Sequence, residues 1–436
     1  MIGVLIISII SIVAFIGSIV LIPNIKIGNH SFSTCYFAPL IGAILLLATG
    51  LLPFDSFWSA LTSNSAVNPL QILVIFFSMV FMSIVLDEVG FFRFLASVAA
   101  KKAKQSQTTL FFLLYFFVSF LTVFTSNDII VITFTPFIIF FARHAKISPL
   151  PYLVGEFVAA NTWSTLLLVG NPTNIYLSSA FNIDFFRYTE MMFIPTIFAG
   201  LASLTIIYLL FRKKSKDPIN TETQEEHIID KPIFIVSFVL LASCIVLLAI
   251  SSWVGLPMWM IALGSASALF ILVLIYGLIN RKEFFVTTDS LKRLPYNLIP
   301  LLLGMFAIVL ALENSGVTEG LYKILNSSQP ILTYGVTSFV FANILNNIPM
   351  SVLFTEVLKN AGAPLYQGIY ATILSSNLAA FFTPVGALAG VMWMSLLKQN
   401  DIRFTFLTFI KYGVIISIPA LLIGLGGLYL SFFCFG

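Results

Sequence analysis

The sequence predicts an all-α polytopic membrane protein. It is built from two inverted repeats of five spanning helices, each with a re-entrant helical hairpin and a broken helix. Three observations predict this. First, 59% of the 436 residues are hydrophobic, only 9% are charged, and mean hydropathy is +1.03. A soluble chain of this length would have too few charges to cover its surface. Second, the halves resemble each other at three anchors. Residues 79–95 (MVFMSIVLDEVGFFRFL) match 305–321 (MFAIVLALENSGVTEGL) at an offset of 226, Asn127-Asp128 match Asn346-Asn347 at 219, and Asn161 and Gly170 match Asn377 and Gly386 at 216. Three matches in one order indicate a repeat. Third, placing the polar 212–231 linker in the cytoplasm leaves 3 of the 22 Lys and Arg residues outside (Arg187, Lys323 and Lys359) and 19 inside, as the positive-inside rule expects.

The N-terminal repeat, 1–211, opens with predicted spans near 2–22, 36–53 and 69–90, each close to the roughly 20 residues that cross a 30 Å hydrocarbon core. The first lacks the basic start and small-residue cleavage site of a signal peptide, so it is read as a spanning helix. A hairpin is predicted at 109–141, turning at Thr125-Ser126-Asn127-Asp128, with Pro136 in its return arm. A broken span near 150–180 and a span near 189–211 complete the half. After the linker, the C-terminal repeat, 232–436, has spans near 232–252, 257–279 and 297–313. A hairpin at 328–358 turns at Asn346-Asn347-Ile348-Pro349, and spans near 366–397 and 405–433 follow. If both hairpins enter and leave on one side, each half has an odd number of spans and the halves are inverted. The first hairpin then opens to the cytoplasm, the second to the exterior, and both termini lie outside.

The stretch Asn161–Asn174 organises the chemistry. Gly170 lacks a Cβ, and Pro172 lacks a backbone N–H and clashes with the preceding turn, so the helix breaks there. Broken backbone at membrane depth is tolerated only where it is buried in protein or lines a polar cavity. Asn171, Thr173 and Asn174 are polar at that point, and the mate segment carries Ser375, Ser376, Asn377, Thr383, Pro384 and Gly386. A Pro-kinked structural helix with amide contacts between helices is the alternative. Half-helix N-termini can face an anion, and unwound carbonyls with Asn and Ser/Thr oxygens can ligate a cation. The expected substrate site is Asn127, Asn171, Thr173, Asn174, Asn346, Asn347, Asn377 and Thr383. The expected coupling-ion site is Asp128, Ser126, Asn161, Gly170 and Gly386. Asp128 is the one carboxylate at a predicted hairpin tip. An ionisable residue inside a membrane marks a proton carrier or cation ligand, with an N-cap as the structural alternative. Asp87, Glu88 and Glu313 read as interfacial, Glu156 as lying in the cytoplasmic headgroup layer, and Glu356 as solvated.

These features predict a secondary active transporter of a small anion or oxyanion in the cytoplasmic membrane, coupled to H⁺ or Na⁺. A passive anion channel is the rival from another class, but it requires a continuous pore with weak multi-site binding. No enzyme activity, cofactor or metal beyond Na⁺ is expected. Cys35, Cys244 and Cys434 have no metal spacing, His30, His144 and His227 read as loop residues, and no Gly-rich phosphate loop is followed by Lys. The net charge of +4 reflects topology rather than nucleic-acid binding.

Three motifs carry a family resemblance: Ser126-Asn127-Asp128 with Thr135-Pro136; Asn346-Asn347-Ile348-Pro349; and Thr383-Pro384-Val385-Gly386-Ala387-Leu388-Ala389 running on to Trp393. Over nearly its whole length the chain resembles the ion transporter superfamily, which groups arsenite/antimonite efflux permeases, citrate-type permeases and divalent-anion/sodium symporters. It is most similar to the arsenite/antimonite permease branch, so efflux of arsenite or antimonite is the alternative function. Permeases of that branch tend to carry Asp where this chain has Asn161 and Asn377. They lack the Gly170–Asn174 run, which resembles the anion-transporting branches. The resemblance also implies a homodimer in which the hairpins and broken spans form a transport domain against a scaffold.

Overall fold

The computed structural model describes residues 1–21, 24–27, 30–63, 68–103, 106–212, 227–280, 285–296 and 298–436. Most of the predicted linker, 213–226, lies outside the described residues, as do Lys104, Lys213, Lys214, Lys216, Arg281 and Lys282 from the charge count and the span edges at 22 and 297.

The chain is helical almost throughout, with one correction to the all-α expectation. Asn24–Ile27 and His30–Ser33 pair as a two-stranded antiparallel ribbon after the first helix, Ile2–Leu21. The predicted span at 36–53 becomes a shorter helix, Phe37–Ala48, of 12 residues. Among the described residues, seven helices are long and apolar enough to cross a membrane: Pro69–Glu88, Gln107–Phe124, Asn127–His144, Phe185–Phe211, Lys231–Ala249, Met258–Ile279 and Phe406–Phe435. The pair Leu298–Asn314 and Val317–Leu325 makes an eighth if read as one span, although it bends by 80°. The protein is therefore a multi-pass membrane protein. The sequence expected ten full spans. Five of the seven fall on predicted full spans and two, Gln107–Phe124 and Asn127–His144, on the arms of the predicted first hairpin, while others of the ten are realised as shorter pieces, such as Leu150–Trp163 and Pro172–Ala180, or Tyr366–Leu378 and Leu388–Gln399.

The repeat anchors fall at matching structural positions. Pro69–Glu88 ends at Gly90, with φ +83°, and Phe91–Lys102 follows; Leu298–Asn314 ends at Gly316, with φ +78°, and Val317–Leu325 follows. A left-handed residue lets each chain turn sharply, and glycine adopts it without steric cost. Near the first turn, Arg293 pairs with Asp87 at 2.6 Å and with Glu88 at 2.5 Å, which gives these carboxylates a structural role at a helix end. Ile229 donates its N–H to Val89 O at 2.9 Å, so the described end of the linker rests on the same turn.

Packing partners recur between the halves. Gln107–Phe124 packs on Leu150–Trp163 as Pro330–Leu345 packs on Tyr366–Leu378. Leu150–Trp163 packs on Phe185–Phe211 as Tyr366–Leu378 packs on Phe406–Phe435, and the two long helices Phe185–Phe211 and Phe406–Phe435 run against each other. Two contacts are exchanged between halves. Leu388–Gln399 rests on Asn127–His144, and Pro172–Ala180 rests on Asn347–Lys359. The second piece of each broken span therefore packs against a helix of the other half.

Candidate functional site

Each break is set by its local sequence. The first hairpin helix stops at Phe124, Thr125 is extended, and Ser126 occupies the N-cap of Asn127–His144 with no capping bond from its side chain. In the first broken span the helix ends at Trp163, a 3₁₀ turn covers Leu168–Gly170, and Asn171 caps the next helix through Thr173 N–H at 3.1 Å, with Pro172 as its first residue. Asn at the cap followed by Pro is a strong helix start. Gly170 is required by space: a Cβ there would lie 2.2 Å from Ser164 O. Gly386 stands equally close to Ala379 O in the second broken span.

The structure gathers the predicted residues into two buried clusters. The first ties the broken spans together. Asn171 Nδ2 donates to Asn377 Oδ1 at 2.9 Å, and Asn377 Nδ2 donates to Asn174 Oδ1 at 2.7 Å. Ser164 Oγ donates to the same Asn377 oxygen at 3.1 Å, and Thr173 and Ser376 share a hydroxyl bond of 3.0 Å. Asn174 Nδ2 also reaches two carbonyls at the break, Ser164 O at 2.9 Å and Leu167 O at 3.2 Å, the latter also taken by Gly170 N–H. Asn161 joins through Ser164 Oγ, which donates to Asn161 O, and accepts from Asn127 Nδ2 at 2.9 Å on the first tip. The second cluster sits at the other tip. Asn343 Oδ1 accepts from Thr383 N–H and Oγ1 at 3.1 and 2.7 Å, Asn346 Nδ2 donates to Val385 O at 3.0 Å, and Asn347 N–H donates to Gly386 O at 3.0 Å. Asn346 holds φ +78° and ψ 153°, a strained backbone for a residue with a Cβ.

The tips keep unused oxygens. Ser126 Oγ, Asn127 Oδ1 and Asn347 Oδ1 are buried without a hydrogen-bond partner. Asn127 and Asn347 both open their helices and both leave Oδ1 free, so the structural correspondence is Asn127 with Asn347, an offset of 220, with Ser126 opposite Asn346. Asp128 lies in the first turn of its helix and is 6% exposed, and its carboxylate has no hydrogen-bond or ion-pair partner among the described residues. It does not occupy the N-cap, which belongs to Ser126.

Two acidic residues depart from expectation. Glu156 is enclosed by protein: it is 1% exposed, and Thr135 Oγ1 donates to its two oxygens at 3.3 and 3.2 Å. Its helix begins at Leu150, so Glu156 stands more than a turn inside, on a face covered by neighbouring helices. Glu356 is not solvated: it is buried and paired with Lys359 at 2.7 Å. Sequence reasoning also missed Ser164 and Asn343. Each had a signal, one helical turn after Asn161 and one before Asn346. No group of three or more His, Cys, Asp or Glu among the described residues could hold a metal ion.

Crossed, interrupted helices with buried amides at their breaks, inside a multi-pass helical bundle, define a membrane transporter. The profile of the citrate transporter family matches residues 36–368, and the chain belongs to that family. It is 26% identical over 409 residues to the arsenical pump membrane protein of Escherichia coli (strain K12), covering 89% of this chain and 92% of the relative. It is 25% identical over 383 residues to the putative arsenical pump membrane protein of Bacillus subtilis (strain 168), covering 80% and 84%. The crystal structure of the Alcanivorax borkumensis YdaH transporter shares the fold, with a TM-score of 0.52 at 14% identity over 99% of this chain and 98% of that one.

The Asn377 amide serves Ser164, Asn171 and Asn174 together, whereas Asn127 makes one side-chain bond. A buried polar group left without a partner costs about 1–3 kcal/mol. Asn377→Leu is expected to lower the Tm of the detergent-solubilised protein clearly more than Asn127→Leu does. Thermal unfolding followed by tryptophan fluorescence checks the order.

Proposed function

We propose that the chain is a secondary active transporter that moves a small anion or oxyanion across the cytoplasmic membrane, coupled to H⁺ or Na⁺. The observation that carries this reading is the hydrogen-bonded meeting of two broken spans, with buried, unpartnered oxygens at both tips. Asn127, Asn346, Asn347 and Thr383 take substrate from the tip side. Asn171, Thr173, Asn174 and Asn377 form the wall that opens to it when the broken spans separate. Asp128, Ser126 and Asn161 hold the coupling ion, with Gly170 and Gly386 allowing the close approach of backbone. An ionised carboxylate buried without a partner is costly, and a bound H⁺ or Na⁺ at Asp128 offsets that cost.

Efflux of arsenite or antimonite is the second reading. The relatives named as arsenical pump membrane proteins favour it, and so does the donor set, because the amide and hydroxyl clusters contain no Lys, Arg or His. An uncharged, hydroxyl-bearing metalloid would be held by such groups without a countercharge. In either reading we take the protein to be a homodimer of inverted repeats, with the 212–231 linker cytoplasmic and both termini outside. The recurring packing partners and the exchanged contacts support the repeat.

Topology is tested by single cysteines at the exposed residues Lys146 and Gln329 in a cysteine-free background. A membrane-impermeant maleimide should label Lys146→Cys only from the cytoplasm and Gln329→Cys only from outside. Labelling of both from one side removes the inverted arrangement.

Function is tested by counterflow in proteoliposomes with radiolabelled arsenite, antimonite, citrate and other small anions, under separate pH and Na⁺ gradients. Accumulation driven by unlabelled substrate inside identifies a carrier, and dissipative flux alone identifies a channel. Asp128→Asn should lose the response to whichever gradient drives the wild type. Unchanged coupling in this variant would place the coupling site elsewhere.

A further inference from the structure

We propose that Glu156 is a second proton-binding site of the transporter, apart from the tip carboxylate Asp128. The inference rests on the transporter reading and adds a coupling residue to it. Glu156 projects from Leu150–Trp163 against the arm Asn127–His144, where Thr135 stands seven residues, about two turns, after Asp128 on the same face. The Thr135 hydroxyl is shared between the two carboxyl oxygens at 3.3 and 3.2 Å, so one weak donor serves both. The indole N–H of Trp393, from Leu388–Gln399 of the other half, faces the same carboxyl. It stands outside hydrogen-bonding geometry and is itself buried without a partner. The Trp393 ring is fixed by stacking on Phe157 at 4.9 Å, next to Glu156 in sequence. Three elements from both halves therefore converge on one carboxyl.

Among the described residues no cation balances it. Packed on Leu150–Trp163 are Gln107–Phe124, Asn127–His144, Phe185–Phe211, Tyr366–Leu378 and the 3₁₀ turn Ala379–Phe381, and Phe409 of Phe406–Phe435 meets Phe157. Among the described residues none presents a charged group to Glu156: Arg143 and His144 are exposed at the far end of their helix, Arg187 pairs with Glu190 at 2.7 Å, Lys398 and Lys411 are exposed on theirs, and the facing groups are Thr135 and Trp393. The opposite exchanged contact provides the comparison. There the buried, unpartnered hydroxyl of Tyr176, on Pro172–Ala180, is faced by Glu356 and Glu313, but Glu356 has Lys359 at 2.7 Å. Asp87 likewise has Arg293. The buried carboxylates of Asp87 and Glu356 each have a cation beside them, whereas the groups facing Glu156 are neutral donors. An ionised group in such surroundings is costly, and a proton added to one carboxyl oxygen removes the charge. When the Trp393 helix and the hairpin arm move apart and water enters, that proton returns to water and the entering water solvates the carboxylate. The step is H⁺ binding and release, with no bond to substrate.

Infrared spectroscopy of the purified full-length protein in lipid tests the site without any substrate. The wild type should show the C=O stretch of a protonated carboxylic acid near neutral pH. Glu156→Gln should lose one such band, Asp128→Asn should retain it, and Thr135→Val should move it to higher frequency by removing a donor. A Glu156→Gln spectrum that superimposes on the wild type in this region overturns the proposal, as does an unmoved band in Thr135→Val should the Gln variant fail to fold. In arsenite-loaded proteoliposomes, Glu156→Gln should reduce pH-gradient-driven accumulation to the level seen without a gradient, and full retention of gradient-driven accumulation also overturns the proposal. Absence of counterflow in the wild type with every probe would instead remove the transporter reading, and the infrared result would still decide the proton site.

Discussion

Backbone hydrogen bonding at the interrupted helices is the constraint on which the rest of this structure depends. In a bilayer an unpaired N–H or C=O has no water to turn to, so each break needs a partner supplied by the protein. The asparagines are those partners. Asn174 takes the carbonyls of Ser164 and Leu167, Asn171 takes the N–H of Thr173, Asn343 takes the N–H of Thr383, and Asn346 takes the carbonyl of Val385. Each amide offers a donor and an acceptor, so in Asn171 and Asn174 one end repairs backbone and the other joins Asn377. The contact of Asn377 with Asn171 and Asn174 follows from this second capacity.

This economy separates side chains that hold the fold from those left for a ligand. The crossing of the broken spans is saturated by mutual bonds, and its side chains are closed in the conformation described. The tips are not saturated, since Ser126, Asn127 and Asn347 keep free oxygens and Asp128 has no partner among the described residues. Because the second piece of each broken span rests on the other half's hairpin arm, movement of one tip relative to the bundle strains the crossing. Exchange of internal amide contacts for ligand contacts then costs little net hydrogen bonding, which suits a carrier that must alternate between closed and open crossings.

The sequence displays the breaks because Gly170, Pro172, Pro384 and Gly386 are incompatible with a continuous helix, and it displays the repeat because Gly90 and Gly316 mark the same left-handed turn. What it hides depends on three-dimensional neighbours. Glu156 reads as interfacial because distance along the chain from a helix start says nothing about which face is covered, and its cover comes from Thr135 and, 237 positions later, Trp393. The offset of 219 at the tips differs by one from the structural 220 because the doubled Asn346-Asn347 offers two alignments to Asn127, and the letters alone do not show that Asn347 is the one that opens its helix. The ribbon at 24–33 escaped a reading tuned to helical runs, since each of its strands has only four residues.

The central claim is that the crossing of the two broken spans opens and closes in each transport cycle. Thr173 and Ser376 face each other across it with hydroxyls 3.0 Å apart, so cysteines at these positions in an otherwise cysteine-free protein can be joined by mild oxidation. Counterflow by the Thr173→Cys/Ser376→Cys protein, measured reduced, oxidised and re-reduced in the same proteoliposomes, is the direct measurement. The account predicts that the disulfide stops counterflow and that reduction restores it. Counterflow at the reduced rate in the fully cross-linked protein would contradict it and make the crossing a fixed strut.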